Sequence, residues 1–178
     1  MKVKKVMVVV VSVWLLTACM PLGLEEAIQK EIPFNVARVL HKEEVPHGVV
    51  ILYTTKQESK LGEFETITAA FLKGDDQNGW SNAGNNHWDY YEHKQFTTYK
   101  KAFYDYDTKG KLENKISLLL GKIENKKIRS IEVAGKEYEE AKVIEVDGVR
   151  YYYQFGEYSK VRGLSKNGKV VYRTKLPN

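Results

Sequence analysis

The chain has 178 residues and a mass of 20.5 kDa, with 28 Lys and Arg, 23 Asp and Glu and a formal charge of +5. That length fits one domain or two small ones, and 43% hydrophobic with 29% charged residues excludes a disordered polyampholyte. A single cysteine excludes an internal disulfide framework and any multi-cysteine zinc site.

Residues 1–19 read MKVKKVMVVVVSVWLLTAC. Lys2, Lys4 and Lys5 form a basic start, and Val6 to Leu16 is an apolar run broken only by Ser12. As a helix that run spans roughly 16 Å, about half a bilayer core, which is short for a membrane span. Basic start, short apolar centre and small residues before the end are the plan of a secretory signal peptide. Leu16-Thr17-Ala18-Cys19 resembles the lipobox of bacterial lipoproteins. The resemblance implies diacylglycerol on the Cys19 sulfur and cleavage just before it. The expected organisation is a signal peptide over 1–18 and a lipidated tether over 19–23. The location implied is the extracytoplasmic face of the cell membrane, with the membrane as partner through the lipid. Extended, Met20 to Gly23 reach about 14 Å, so the body sits close to the membrane.

Loss of the three lysines leaves 25 basic residues against 23 acids, a charge of about +2. The high pI therefore gives no reason to expect a nucleic-acid partner. Lys122, Lys126, Lys127 and Arg129 read as a solvated strand pair, with a minor role near anionic lipid as the alternative.

Along the remaining 160 residues, Leu24 to Ile32 predicts a short helix. Leu24, Ala27, Ile28 and Ile32 share one face, Glu25 and Glu26 suit the first turn, and Pro33 ends the pattern. Strands are expected at Phe34–Glu44, Val49–Thr55 and Glu63–Leu72, with Pro46-His47-Gly48 and Gly74–Gly79 as turns. Trp80 to Phe96 is aromatic, with a strand expected near 87–93 after an irregular loop at Gly84, Asn85 and Asn86. Tyr99 to Lys111 gives no clear pattern, and Lys109-Gly110-Lys111 marks a turn. Beyond it, strands are expected at Ile116–Ile123, Ile128–Val133, Lys142–Val146, Val149–Phe155, Lys160–Ser165 and Lys169–Thr174. Asp147-Gly148 and Asn167-Gly168 predict two-residue hairpin turns. Tyr151 and Tyr153 fall on one strand face and Tyr152 on the other. The expected fold is mainly β, of the α+β kind. A short N-terminal helix packs on an antiparallel meander (24–108), followed by a β-sandwich-like part (109–178).

The segments GVVILYTT, KVIEVDGVRYYY and LSKNGKVVY are also similar to those of small, uncharacterised Gram-positive surface lipoproteins. That resemblance implies location and layout and carries no activity.

The densest polar-aromatic segment runs from Asn85 to His93. On a strand, His87, Asp89, Tyr91 and His93 share a face, opposite Trp88, Tyr90 and Glu92. Two imidazoles and a carboxylate are metal-ligand types. His87 and His93 lie about 20 Å apart on a straight strand, so His87 with Asp89, or Asp89 with a distant His41, is the easier pairing. No tight ligand motif accompanies them, so an exposed polar face is the simpler reading, and no metal or other cofactor is expected. Trp80, Trp88, Tyr90 and Tyr91 are candidate ligand-binding residues, because exposed rings offer apolar faces to sugars or peptide side chains. Tyr99, Tyr104 and Tyr106 extend that cluster, though buried packing is the ordinary fate of strand aromatics.

No nucleophile elbow, phosphate loop or H-E-x-x-H pattern occurs, and lipidation would consume the one thiol. Glu137, Glu139 and Glu140 read as a solvated loop, and Asp105 and Asp107 as exposed acids without catalytic tuning. The expectation is a lipid-anchored accessory or binding protein of the cell surface, with a cell-wall component or protein as partner. The alternative is an envelope-polymer hydrolase whose site is assembled in space.

Overall fold

The computed structural model describes residues 21–59, 62–84 and 93–176. Among the described residues are one helix and twelve strands, and the strands build three antiparallel four-stranded sheets. Helix α1 spans Leu24–Lys30. Strands β1 (Val36–Val45), β2 (Gly48–Ser59), β3 (Gly62–Asp75) and β4 (Gly79–Asn82) form sheet A in that order. Strands β5 (Tyr99–Tyr106), β6 (Leu112–Ile123), β9 (Lys142–Val146) and β10 (Val149–Phe155) form sheet B, ordered β5-β6-β10-β9. Strands β7 (Ser130–Ala134), β8 (Tyr138–Glu140), β11 (Lys160–Leu164) and β12 (Val170–Lys175) form sheet C, ordered β12-β11-β7-β8. The fold is mainly β with one short helix and antiparallel sheets, as expected.

The sheets are layers. Val50, Leu52, Ile67, Ala69 and Phe71 of sheet A meet Tyr99, Phe103, Ile116, Leu118, Leu120, Tyr151 and Tyr153 of sheet B. Phe71 and Phe103 pack with ring centroids 6.1 Å apart across that interface. The opposite face of sheet A, through Val49, Ile51, Tyr53, Ala70 and Leu72, receives Ala27, Ile28 and Ile32. The opposite face of sheet B, through Leu119, Ile123 and Tyr152, packs on Ile131, Val133 and Val161 of sheet C. The order is therefore helix, sheet A, sheet B, sheet C. Successive strand residues point to opposite faces, so a strand covered on both sides must be apolar without alternation. Val49 to Tyr53, Leu118 to Leu120 and Tyr151 to Tyr153 are such runs, and all are buried. Each fully buried aliphatic or aromatic side chain contributes about 1.5–3 kcal/mol, so these runs are a large part of the stabilising core.

The split read at 108/109 falls in the turn between β5 and β6, which pair with each other in sheet B. Three local expectations change. Tyr99–Tyr106 is a strand, β5, whose pairing with β6 shifts register between Asp105 and Tyr106. Glu139 and Glu140 lie in the exposed edge strand β8 instead of a loop. The Asn167-Gly168 hairpin forms, but only Gly168 takes positive φ, and Ser165 N donates to Lys169 O around a longer loop. At Asp147-Gly148 both residues take positive φ, as a two-residue primed turn requires. The strand expected over 87–93 lies, apart from His93, outside the described residues.

A polar clamp ties the edge of sheet A to the edge of sheet B. The Glu43 carboxylate accepts from Lys142 Nζ at 2.9 Å and Tyr153 Oη at 3.1 Å, and meets His41 Nε2 at 2.8 Å. Lys142 also sits 5.3 Å from the centre of the Tyr153 ring. Beside it, Arg38 pairs with Asp147 at 2.9 Å. The Lys142 and His41 hydrogen bonds hold the Glu43 carboxyl at about 2, well below its ordinary value.

Two predictions follow from this packing. A Cβ on Gly121 would lie 2.0 Å from Thr97 O and 2.6 Å from the fully buried Tyr152 ring. Neither neighbour can yield, so Gly121→Ala should destabilise by about 3 kcal/mol in chemical denaturation. Glu43 titrates lower folded than unfolded, so its stabilisation is present above the unfolded carboxyl value and lost as pH falls toward about 2. The Tm gap between wild type and Glu43→Gln should be widest near neutral pH and close as pH falls; a pH-independent gap would contradict this.

Candidate functional site

Of the residues that the sequence singled out, Cys19, His87, Trp88, Asp89, Tyr90 and Tyr91 lie outside the described residues. Trp80 stands in β4 and packs against the cluster beneath α1, together with Leu22 and Leu24. Its indole Nε1 donates to Asp76 at 2.8 Å. This indole is committed to holding the N-terminal segment against sheet A. His93 accepts a hydrogen bond from Gln95 N at 3.1 Å and stacks 4.8 Å from the Tyr172 ring. His41, considered as a partner for Asp89, instead meets Glu43.

The aromatic residues of β5 divide by strand parity. Tyr99 and Phe103 point into the core, whereas Tyr104 and Tyr106 are 45% and 52% exposed. Sheet C covers the far face of sheet B only around Leu119, Ile123 and Tyr152. The remaining part is an open shelf with a recess of about 580 Å³, lined by Lys100, Ala102, Tyr104, Lys115, Ser117 and Tyr158 among others. Lys115 pairs with Glu157 and lies 6.0 Å from the Tyr104 ring centre. The hydrogen bond from Lys115 lowers the Glu157 carboxyl and raises the Lys115 ammonium. Tyr158 closes the far wall, with its hydroxyl donating to Phe155 O at 2.8 Å.

A second polar centre lies where the β1–β2 turn meets the β5–β6 hairpin. Pro46 and His47 form that turn, and His47 has φ +65°. Proline followed by a left-handed residue is the type II combination, which ordinarily selects Gly or Asn second. His47 Nδ1 lies 2.8 Å from Asp105 Oδ2 and 3.9 Å from Glu113 Oε2. Lys73 Nζ donates to the other Asp105 oxygen at 2.6 Å and to Tyr106 O at 3.4 Å. The Asp105 side chain is 2% exposed, while those of His47 and Glu113 are 49% and 42% exposed. Burial raises the Asp105 carboxyl, but hydrogen bonds from Lys73 and His47 outweigh it and hold the carboxyl below its ordinary value. The same bond to Asp105 raises Lys73.

This corrects the reading of Asp105 as an exposed acid. With Tyr104 and Tyr106 outward, the intervening Asp105 must point inward. That assignment was open to parity alone, but the sequence reading left open whether the tyrosines face out or in. Asp107, in contrast, is a turn residue whose carboxylate accepts from Lys109 N and Lys111 N, both at 2.8 Å. The imidazole was missed because Pro46-His47-Gly48 signals a turn, and nothing local shows that the turn lands on a residue 58 positions away.

No helix among the described residues is long and apolar enough to cross a membrane. No protein-family model matches the chain, and neither a curated protein nor a solved structure matches it.

Proposed function

We propose that this protein is a lipid-anchored binding module of the bacterial cell surface, held on the extracytoplasmic face of the membrane through Cys19. The shelf on sheet B is its binding face, and the ligand is an anionic envelope glycan bearing carboxylate or phosphate groups. The observation that carries this reading is the exposed Tyr104 ring in an open recess with Lys100 and Lys115. A sugar ring stacks its apolar face on an aromatic side chain, and lysines suit charged substituents on the same polymer. The recess is shallow and its one carboxylate, Glu157, is paired with Lys115. That arrangement favours capture over hydrolysis, which needs a pair of differently tuned acids.

Support for the anchor comes from the N-terminal sequence. Pro21 and Leu22 lie against Gly79, so close that a Cβ there would stand 3.1 Å from Pro21 Cβ. Only Met20 separates Cys19 from this docked segment, so the free tether reaches about 7 Å. The β3–β4 turn and Trp80 then form the membrane-facing end of the body.

Two measurements test the proposal. Mass spectrometry of the membrane fraction should find a diacylated N-terminus at Cys19, and Cys19→Ser should release the protein from membranes. An unmodified Cys19, or a chain still carrying residues 1–18, would overturn the anchor. Co-sedimentation of the full chain with isolated cell walls should weaken about tenfold in Tyr104→Ala, the loss of one well-stacked ring. Tyr104 is half-exposed, so the variant should keep its fold. Equal sedimentation of both proteins, or persistence after removal of anionic polymers from the walls, would overturn the assigned binding face.

A further inference from the structure

We propose that His47, Asp105 and Glu113 form a binding site for one divalent transition-metal ion of the zinc class, with a coordination position left open to solvent. The proposal is independent of the shelf. One nitrogen and two carboxylate ligand atoms lie within 4.8 Å of one another. In a tetrahedral zinc site with bonds of about 2.0–2.1 Å, neighbouring ligand atoms stand about 3.3 Å apart. The observed 2.8 Å and 3.9 Å separations from His47 Nδ1 lie on either side of that value. Small side-chain rotations at two half-exposed residues, His47 and Glu113, reach the required geometry.

The site differs in kind from the Glu43 clamp. There, Lys142, Tyr153 and His41 converge on one carboxylate and take three of its four or so acceptor positions. Here the cation and the imidazole take opposite oxygens of Asp105. Lys73 holds Oδ1, which fixes the carboxylate plane and leaves Oδ2 facing His47. Such outer hydrogen bonds orient a metal ligand without consuming its bonding atom. Glu113 brings a second negative charge, which offsets Lys73 and leaves the three groups suited to a dication. An imidazole among the ligands selects zinc, copper, nickel or cobalt over magnesium and calcium.

Two further features agree. His47 occupies a left-handed position where Asn or Gly is cheaper by about 1 kcal/mol, so the imidazole is kept against a backbone cost. Asn114, directly across from Asp105 on the same face of sheet B, leaves its buried side-chain nitrogen without an acceptor among the described residues. Water on the open metal position is an acceptor of the kind this nitrogen lacks.

The test is titration of the full chain in detergent micelles with Zn2+ by calorimetry, and with Co2+ by visible absorption. One saturable site is expected for each metal. His47→Asn keeps a residue that tolerates the left-handed turn and removes the ligand nitrogen. Glu113→Gln alters a half-exposed side chain. Each should weaken Zn2+ binding at least tenfold with an unchanged circular dichroism spectrum, while Tyr104→Ala should bind Zn2+ like wild type. Absence of saturable binding would overturn the site. So would binding that survives in both variants, whether through a thiol at Cys19 or other groups, or equal affinity for Ca2+.

Discussion

The centre of sheet B, where β6 pairs with β10, is buried on both faces, and the rest of the molecule depends on that constraint. Its inner strands β6 and β10 present Leu118, Leu120, Tyr151 and Tyr153 to sheet A and Leu119 and Tyr152 to sheet C. A sheet with two covered faces cannot alternate polar and apolar residues. It also cannot leave a polar tip unpartnered without cost. Tyr152 meets both demands: its ring is fully buried, and its hydroxyl donates to Thr97 O at 2.7 Å and meets Thr98 Oγ1 at 2.6 Å. Gly121 is part of the same arrangement, because only the absence of a side chain lets β6 pass the tyrosine ring and the Thr97 carbonyl.

The polar centres sit where the layers end. Glu43 is at the side, where edge strand β1 of sheet A meets edge strand β9 of sheet B. Asp105 is at the end, beneath the β1–β2 turn. Both carboxylates lose water and regain hydrogen bonds from residues on another sheet, as buried charges require. The difference between them is functional. Glu43 is engaged by three neighbours, whereas the group around Asp105 keeps a half-exposed imidazole and a half-exposed second carboxylate on its solvent side. A clamp and a ligand site are thus made from the same residue types, and the separating feature is how many donors converge on each carboxylate.

The shelf on β5 and β6 arises from unequal sheet size. Twelve-residue β6 is long enough to extend beyond sheet C, whose strands span three to six residues. Among the described residues, no layer covers the overhanging part of sheet B. Its outward residues, including Lys100, Tyr104 and Lys115, follow an exposed polar-aromatic pattern, while the inward Tyr99 and Phe103 remain buried.

Much of the architecture was legible in the sequence. The helix over residues 24–30, the two-faced runs at Val49–Tyr53 and Tyr151–Tyr153, and the Asp147-Gly148 turn are local in cause. They follow from periodicity, propensity and the φ that a turn demands. Strand β5 was not legible, because its lysines, tyrosines and aspartate follow no simple apolar alternation, and Asp105 occupies an inward position that looks polar. The sites were least legible of all. His47 reads as a turn residue and Asp105 as an exposed acid, while Lys73 and Glu113 carry no signal of their own. The sequence by itself determined most of the strands and their apolar faces. Only the tertiary structure decided which charges meet, because stacking sheet A on sheet B brings the turn at His47 to Asp105, and no pattern within either segment encodes that register.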